Sequence, residues 1–164
     1  MEEVPANRGY HDVQLTEQHL IERLRARPGF RMTAQRRVVA EALSGEHVHL
    51  TAEQVHERAR AVLPEISLAT VYNTLNELVA LGEVHEHGFD GRTRRYDPNV
   101  GEAHHHLICD SCGTIRDVAA SGAAPAPAAA EGFEIRATEV VHRGRCARCL
   151  TAPDTSETPE LRRR

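Results

Sequence analysis

Two short cysteine pairs, Cys109-Asp-Ser-Cys112 and Cys146-Ala-Arg-Cys149, constrain this chain more than any other feature. They use all four of its cysteines. Paired CxxC knuckles set far apart in sequence have the spacing of a structural zinc site. Disulfides are the competing reading. The chain shows no signal peptide and no apolar run long enough to span a membrane, so a reducing, cytoplasmic setting is expected. Four thiolates close a tetrahedral site and leave no position for water. Such a zinc builds structure and does not catalyse. Any second metal must then use nitrogen and oxygen ligands.

The residues around the first knuckle supply such ligands. His104-His105-His106 precede it, and Asp117 follows it. On a strand, His104 and His106 face one way and His105 the other. Gly113 permits the chain to reverse after Cys112, and Thr114 to Val118 reads as the returning strand, carrying Asp117 back beside the histidines. Imidazole and carboxylate suit Fe(II) or Mn(II) better than a thiolate-rich set does, although intrinsic affinity favours zinc.

The N-terminal part has a different character. Residues 1–15 show no period and read as an extension. Four helices are expected after it. One begins at Thr16 and stops at Pro28-Gly29. The second spans Arg31–Leu43, with Thr33 as its cap. The third follows Thr51, and the fourth, Leu68–Leu81, is capped by Ser67 and ended by Gly82. Beyond Gly82 the pattern alternates from Glu83 to Phe89, turns at Asp90-Gly91, and alternates back through Arg92 to Tyr96, a hairpin. Short helices followed by a hairpin are the winged-helix arrangement, whose third core helix enters the major groove of DNA. Clusters at Arg31/Arg36/Arg37 and Arg92/Arg94/Arg95 flank that helix as phosphate contacts would. The net charge of −4 means that any DNA contact must come from such local patches.

Residues 97–103 read as a hinge. After the metal strands come an Ala/Pro-rich stretch at 119–130, where a short interrupted helix is expected, and a strand from Phe133 to about Val141. Residues 151–164 read as a disordered tail. The fold class expected is α+β: a winged helix-turn-helix domain over 16–96, then a small α/β dimerisation domain over 104–150.

Thr33-Ala-Gln-Arg36, Ser67-Leu-Ala-Thr70-Val71-Tyr72-Asn73, the HxH-to-CxxC run and the closing CxxC, in this order, resemble the ferric uptake regulator (Fur) superfamily over roughly residues 16–150. The resemblance implies a metal-dependent, homodimeric transcriptional repressor bound to double-stranded operator DNA, with no enzymatic activity and no membrane partner. It implies structural zinc on Cys109, Cys112, Cys146 and Cys149. It implies a regulatory Fe(II) or Mn(II) on His49, Asp97, His104, His106 and Asp117. It places Arg36, Arg37, Ser67, Thr70, Tyr72 and Asn73 at the DNA.

Asp117 in place of glutamate, and Tyr72-Asn73, make the chain most similar to the peroxide-sensing PerR branch. That implies release from DNA when peroxide oxidises the iron-bound histidines. A plain iron- or manganese-responsive repressor is the alternative; a non-haem iron enzyme is a further one. Asp97 lies one residue further from the first histidine than the family pattern, so Glu102 could replace it as ligand. An additional site found in some members lacks ligands here, at Ala103 and Ala124. His85 and His87 repeat the HxH pattern and read as a solvent-facing wing strand, with a role as substitute ligands if His49 fails.

Overall fold

The computed structural model describes residues 16–101, 103–120, 122, 132–135 and 137–151, which form two compact units divided between Ala103 and His104. The expectations for the extension, the tail, Glu102, Ala124 and the Ala/Pro-rich helix fall wholly or mostly outside these residues.

The first unit holds helices α1 (Thr16–Ala26), α2 (Ala34–Ala42), α3 (Ala52–Val62) and α4 (Leu68–Ala80), then strands β1 (His85–His87) and β2 (Arg95–Asp97). Each of the three later helices starts at a hydroxyl cap. Thr33 accepts from Arg36 N, Ser67 from Thr70 N, and Thr51 forms a reciprocal capping box with Gln54. Arg31 to Thr33 therefore precede α2 and are not part of it. Their apolar stripes meet in one core: Leu20 and Leu24 from α1, Val38 and Val39 from α2, Val55 and Ala59 from α3, Val71, Leu75 and Leu78 from α4. Gly82 ends α4 at φ +71°, where a side chain would be strained.

The wing is shorter than its alternation suggests. Residues 83 and 84 form a bend, and β1 pairs antiparallel with β2 in the register His85↔Asp97, His87↔Arg95. The connecting loop is residues 88–94 and not a two-residue hairpin turn. Asp90 organises this loop: its carboxylate accepts from the Arg92 and Thr93 amides. Those two hydrogen bonds hold the Asp90 carboxyl down at about 2, below the usual carboxylate range. Glu83 is buried where the expected strand would have exposed it, because its carboxylate accepts from Arg23 and Arg27 of the α1 region.

The second unit is a three-stranded sheet in the order β4-β3-β5, plus a short helix α5 (Ala147–Thr151). β3 (His104–Cys109) runs antiparallel to β4 (Ile115–Ala119) and parallel to β5 (Val141–Gly144). The strand expected from Phe133 is absent: residues 133–135 and 137–140 are irregular, and pairing begins only at Val141 opposite His106. β3 begins only at His104, two residues before the His106↔Val141 pair, so in this register residues before 139 would have no β3 residue beside them. Among the described residues, this unit buries few apolar side chains: Ile108, Cys109 and Ile115. So little burial does not hold a unit of this size together unaided.

Candidate metal centres and DNA-facing surface

The knuckle forms as strand, turn, strand. Gly113 stands at φ +68° and its amide bonds back to the Cys109 carbonyl, while Cys109 N donates to the Thr114 carbonyl. β5 delivers the second pair beside it, with Asp110 N bonded to the Gly144 carbonyl. The four sulfurs of Cys109, Cys112, Cys146 and Cys149 each come within 4.8 Å of one another. Cys112 Sγ and Cys146 Sγ are 3.8 Å apart. Zinc–sulfur bonds of about 2.3 Å at tetrahedral angles require sulfur separations of about 3.8 Å.

The surroundings favour thiolate. Cys146 N donates to Cys109 Sγ at 3.3 Å, and the amides of Cys146 and Cys112 draw the Cys109 thiol below its ordinary value. Hydrogen bonds from Thr114, hydroxyl and amide, hold Cys112 down at about 5. Cys149, hydrogen-bonded to Cys146 and crowded by the other sulfurs, is pushed up to about 12. Four sulfurs this close cannot all carry charge without a cation, and zinc is the cation that fits the set.

On β3, His104 and His106 share a face, with ring centroids 4.8 Å apart. His106 lies directly opposite Asp117 of β4, and His104 opposite Ala119, so both histidines and Asp117 face the same side. His106 is buried, and its Nδ1 lies 3.7 Å from Glu139 Oε1. Glu139 is a carboxylate that the spacing did not point to. His105 faces the other way and meets His142 of β5 at 3.4 Å.

In the helical unit, His49 and Asp97 are both buried, at 5% and 0% exposure. His49 is held at the end of the loop before α3. His47 there adopts φ +52°, and its carbonyl accepts from His49 Nδ1 at 3.2 Å. With Nδ1 donating to that carbonyl, Nε2 is the ring atom that faces Asp97 Oδ2, at 3.7 Å. A neighbouring main-chain bridge, Leu50 to Tyr96, fixes that loop against β2. The other Asp97 oxygen accepts from Asn99 N. An imidazole nitrogen and a carboxylate oxygen at this distance can share a cation between them.

His87 departs from its expected role. It is not a solvent-facing strand residue: its side chain is 16% exposed, and its Nε2 lies 3.6 Å from the same Asp97 oxygen. Its ring stacks on Phe89 at 5.1 Å. His85 alone fits the solvent-facing description.

The residues expected at DNA divide into two groups. Tyr72 and Asn73 are exposed on α4, and Arg37 on α2. Ser67 and Thr70 are tied up in capping their own helix. Arg36 is engaged inside the unit: it pairs with Glu77 at 2.5 Å, donates to the Arg31 carbonyl and lies over the Phe30 ring. A groove of about 470 Å³ runs beside α4, lined by Glu53, Tyr72, Asn76, Arg92, Arg94 and Tyr96 among others. The Tyr72 hydroxyl donates to Glu53 at 2.7 Å, which lowers the Glu53 carboxyl and raises the Tyr72 phenol. Glu53 and Asn76 were not singled out by motif. Their shared exposure with Tyr72 beside the wing arginines is a tertiary feature.

Comparison with known proteins gives a consistent result. The ferric uptake regulator family model matches residues 27–143. The transcriptional regulator FurA of Mycobacterium tuberculosis is 38% identical over 131 residues, 78% of this chain and 88% of that protein. The peroxide-responsive repressor PerR of Staphylococcus aureus is 36% identical over 89 residues, 54% of this chain and 60% of that protein. Among solved structures, the ferric uptake regulator of Helicobacter pylori, described with three functional metal-binding sites, superposes with a TM-score of 0.62 at 23% identity. It covers 81% of this chain and 93% of its own.

Proposed function

The chain belongs to the ferric uptake regulator family of metal-responsive transcriptional regulators, and we propose that it is a homodimeric repressor whose grip on a palindromic operator depends on Fe(II) or Mn(II). The regulatory ligands in this reading are His49 and Asp97 of the helical unit and His104, His106 and Asp117 of the sheet unit. The observation that carries it is Asp97. A fully buried carboxylate with two imidazole nitrogens 3.6–3.7 Å from one of its oxygens offers donors that suit a divalent cation.

Zinc on the four cysteines would hold the sheet unit, whose described core is too small to stand alone. The exposed apolar side chains of that unit, Leu107, Phe133, Ile135 and Leu150, support a second copy as their cover. A metal that draws ligands from both units restricts their relative arrangement. Moving such an equilibrium from mostly open to mostly closed takes about 5.5 kcal/mol of differential binding, within reach of a multidentate site. The closed dimer would present two copies of α4 to two half-sites, with Tyr72 and Asn73 at the bases and Arg37, Arg92 and Arg94 at phosphates.

Operator binding by zinc-loaded protein, with and without added Mn(II) or Fe(II), tests the reading. Binding should tighten sharply with either metal. Equal affinity without regulatory metal refutes it.

Peroxide sensing is the finer reading. Asp117 as the shorter carboxylate opposite His106 favours it, as does the commitment of every thiol to zinc, which leaves no conventional cysteine sensor. A ferric uptake regulation protein of Mycolicibacterium fortuitum covers 77% of the chain against 54% for the PerR relative, which favours plain metal sensing. Iron, when bound, supplies the peroxide chemistry, and His49 or His104 would be the imidazole that takes up oxygen. Mass spectrometry after low peroxide decides: one oxygen gained on either histidine, with iron and not with manganese, accompanied by release of DNA. Insensitivity with iron bound leaves the plain metal-responsive repressor.

A further inference from the structure

Tyr96 is 1% exposed and belongs to the core of the helical unit, with its amide bonded to the Leu50 carbonyl. Its hydroxyl is buried with it and has no hydrogen-bond partner among the described residues. A buried tyrosine ordinarily brings its hydroxyl to a partner, because an orphaned one forfeits its hydration for nothing. Burial above all, and then the Glu86 carboxylate, raise the phenol above its ordinary value, so the oxygen keeps a proton to donate. Alternation along β2 puts Tyr96 on the face opposite to Asp97, directly across from Glu86, and so away from the candidate metal centre. Tyr96 lines the groove beside α4, together with Tyr72 and Asn76 of α4, Glu53 of the first turn of α3, and Arg92 and Arg94 of the wing loop.

The charges in this groove are unequally matched. Glu53 accepts from the Tyr72 hydroxyl, and Arg94 is held by Glu86 at 3.2 Å. Arg92 is tied to Asp90 through its amide, and its guanidinium has no carboxylate partner among the described residues. An unpaired guanidinium and a buried neutral donor on one groove lack an anionic acceptor with several oxygens. A phosphate diester is such an acceptor. A helix in the major groove is flanked by the sugar-phosphate backbone, and this groove adjoins the helix that carries Tyr72 and Asn73. We propose that the groove between α4 and the wing seats one phosphate of the operator backbone, with Arg92 supplying the charge and the Tyr96 hydroxyl a hydrogen bond. The proposal rests on the DNA-binding reading above and adds a core residue to the contact. The two contributions differ in kind. Neutralisation by Arg92 releases counterions and weakens with salt, whereas a neutral hydroxyl adds affinity without adding to the salt dependence. Neither carries base preference.

The test uses full-length, zinc-loaded protein saturated with Mn(II), and a duplex that the wild-type protein selects from random-sequence DNA. Tyr96→Phe removes one oxygen and keeps the ring in the core. Affinity for the duplex should fall about tenfold per half-site, the ratio that goes with one hydrogen bond to a charged group. Salt slope, base preference and Mn(II) affinity should not change. Stability in urea should hold level or rise, because an unpartnered buried hydroxyl stabilises nothing in the unbound protein. Arg92→Gln should instead lower the salt slope by about one per half-site. Replacing backbone phosphates singly by neutral methylphosphonate locates the seat. At one position per half-site, the losses from methylphosphonate and from Tyr96→Phe should fall short of additive.

Wild-type affinity in Tyr96→Phe overturns the proposal and leaves the repressor reading standing; the hydroxyl then meets only water. Additive losses at every phosphate also overturn it, because the hydroxyl then acts through packing. So does a loss matched by weaker Mn(II) binding, because Tyr96 then acts through its neighbour Asp97. Inorganic phosphate should compete no better than chloride at equal ionic strength. Competition present in the wild type and absent from Tyr96→Phe assigns the seat to a free anion and overturns the operator assignment. If wild-type protein with Mn(II) bound selects no duplex, the repressor reading falls, and the proposal with it. Should Tyr96→Phe fail to fold, Arg92→Gln carries the same methylphosphonate comparison.

Discussion

Replacing Glu83 by alanine should destabilise the helical unit by about 2–3 kcal/mol, for reasons visible in its surroundings. Glu83 lies just past α4, and its side chain is 11% exposed. One carboxylate oxygen accepts from Arg23 Nε at 2.7 Å and the other from Arg27 Nη1 at 3.0 Å. The pair of arginines fastens the α1 region to the segment that enters the wing. Charge-assisted bonds contribute roughly 1.5–3 kcal/mol each, and breaking a fully buried pair costs about 3–5 kcal/mol. Both arginines keep a water-facing part, at 29% and 37% exposure, so they can rehydrate when the carboxylate is gone. Arg23 also retains its bonds to the Glu83 and Pro98 carbonyls. The loss therefore belongs below the fully buried range. Urea unfolding followed by far-ultraviolet circular dichroism reads this unit selectively, because four of the five helices among the described residues lie in it. The midpoint should fall with little change in slope. A double-mutant cycle of Glu83→Gln with Arg27→Gln should show coupling that survives high salt, since buried pairs are weakly screened. A loss below about 0.5 kcal/mol, or one that vanishes in salt, would show an ordinary solvated surface pair and refute the reasoning.

Three further outcomes are expected. Cys112→Ser should release zinc and unfold the sheet unit, read by zinc content and loss of dimer by sedimentation; stoichiometric zinc with an intact dimer would refute the four-sulfur site. Arg37→Ala should lower the salt slope of operator binding by about one, as one phosphate contact is lost, whereas Arg36→Ala should mainly cost stability because Arg36 is paired with Glu77; equal effects of the two on the salt slope would count against this division. The Asp90 carboxyl is depressed in the folded chain, so its support of the wing loop is complete above the ordinary aspartate range and is lost as pH falls through about 2; the Arg92 and Thr93 amide resonances should titrate with that midpoint, and a midpoint near 4 would show that the loop bonds are not formed.

The sequence makes legible what depends on neighbours in the chain. The caps at Thr33, Thr51 and Ser67, the apolar stripes of α2 to α4, and the knuckle turn at Gly113 are local matters of spacing and residue type, and each forms where spacing places it. His104, His106 and Asp117 come close to this class: strand alternation selects their face, and one hairpin sets their register. Glu83, Arg36 and His87 do not. Local alternation placed Glu83 in a strand, but charged partners far away in sequence draw it inward. Arg36 sits in a basic cluster that advertises phosphate, yet a carboxylate on α4 takes it.

His87 shows the limit most clearly. HxH in a short wing strand predicts one exposed face, and His85 obeys. His87 leaves that rule because β1 has only three residues and its end lies under the side chain of Phe89, against a carboxylate buried by the opposite strand. No period within β1 records where Asp97 will lie. The pairing of the two strands does, and that pairing is what turns a bland surface histidine into a neighbour of the buried carboxylate.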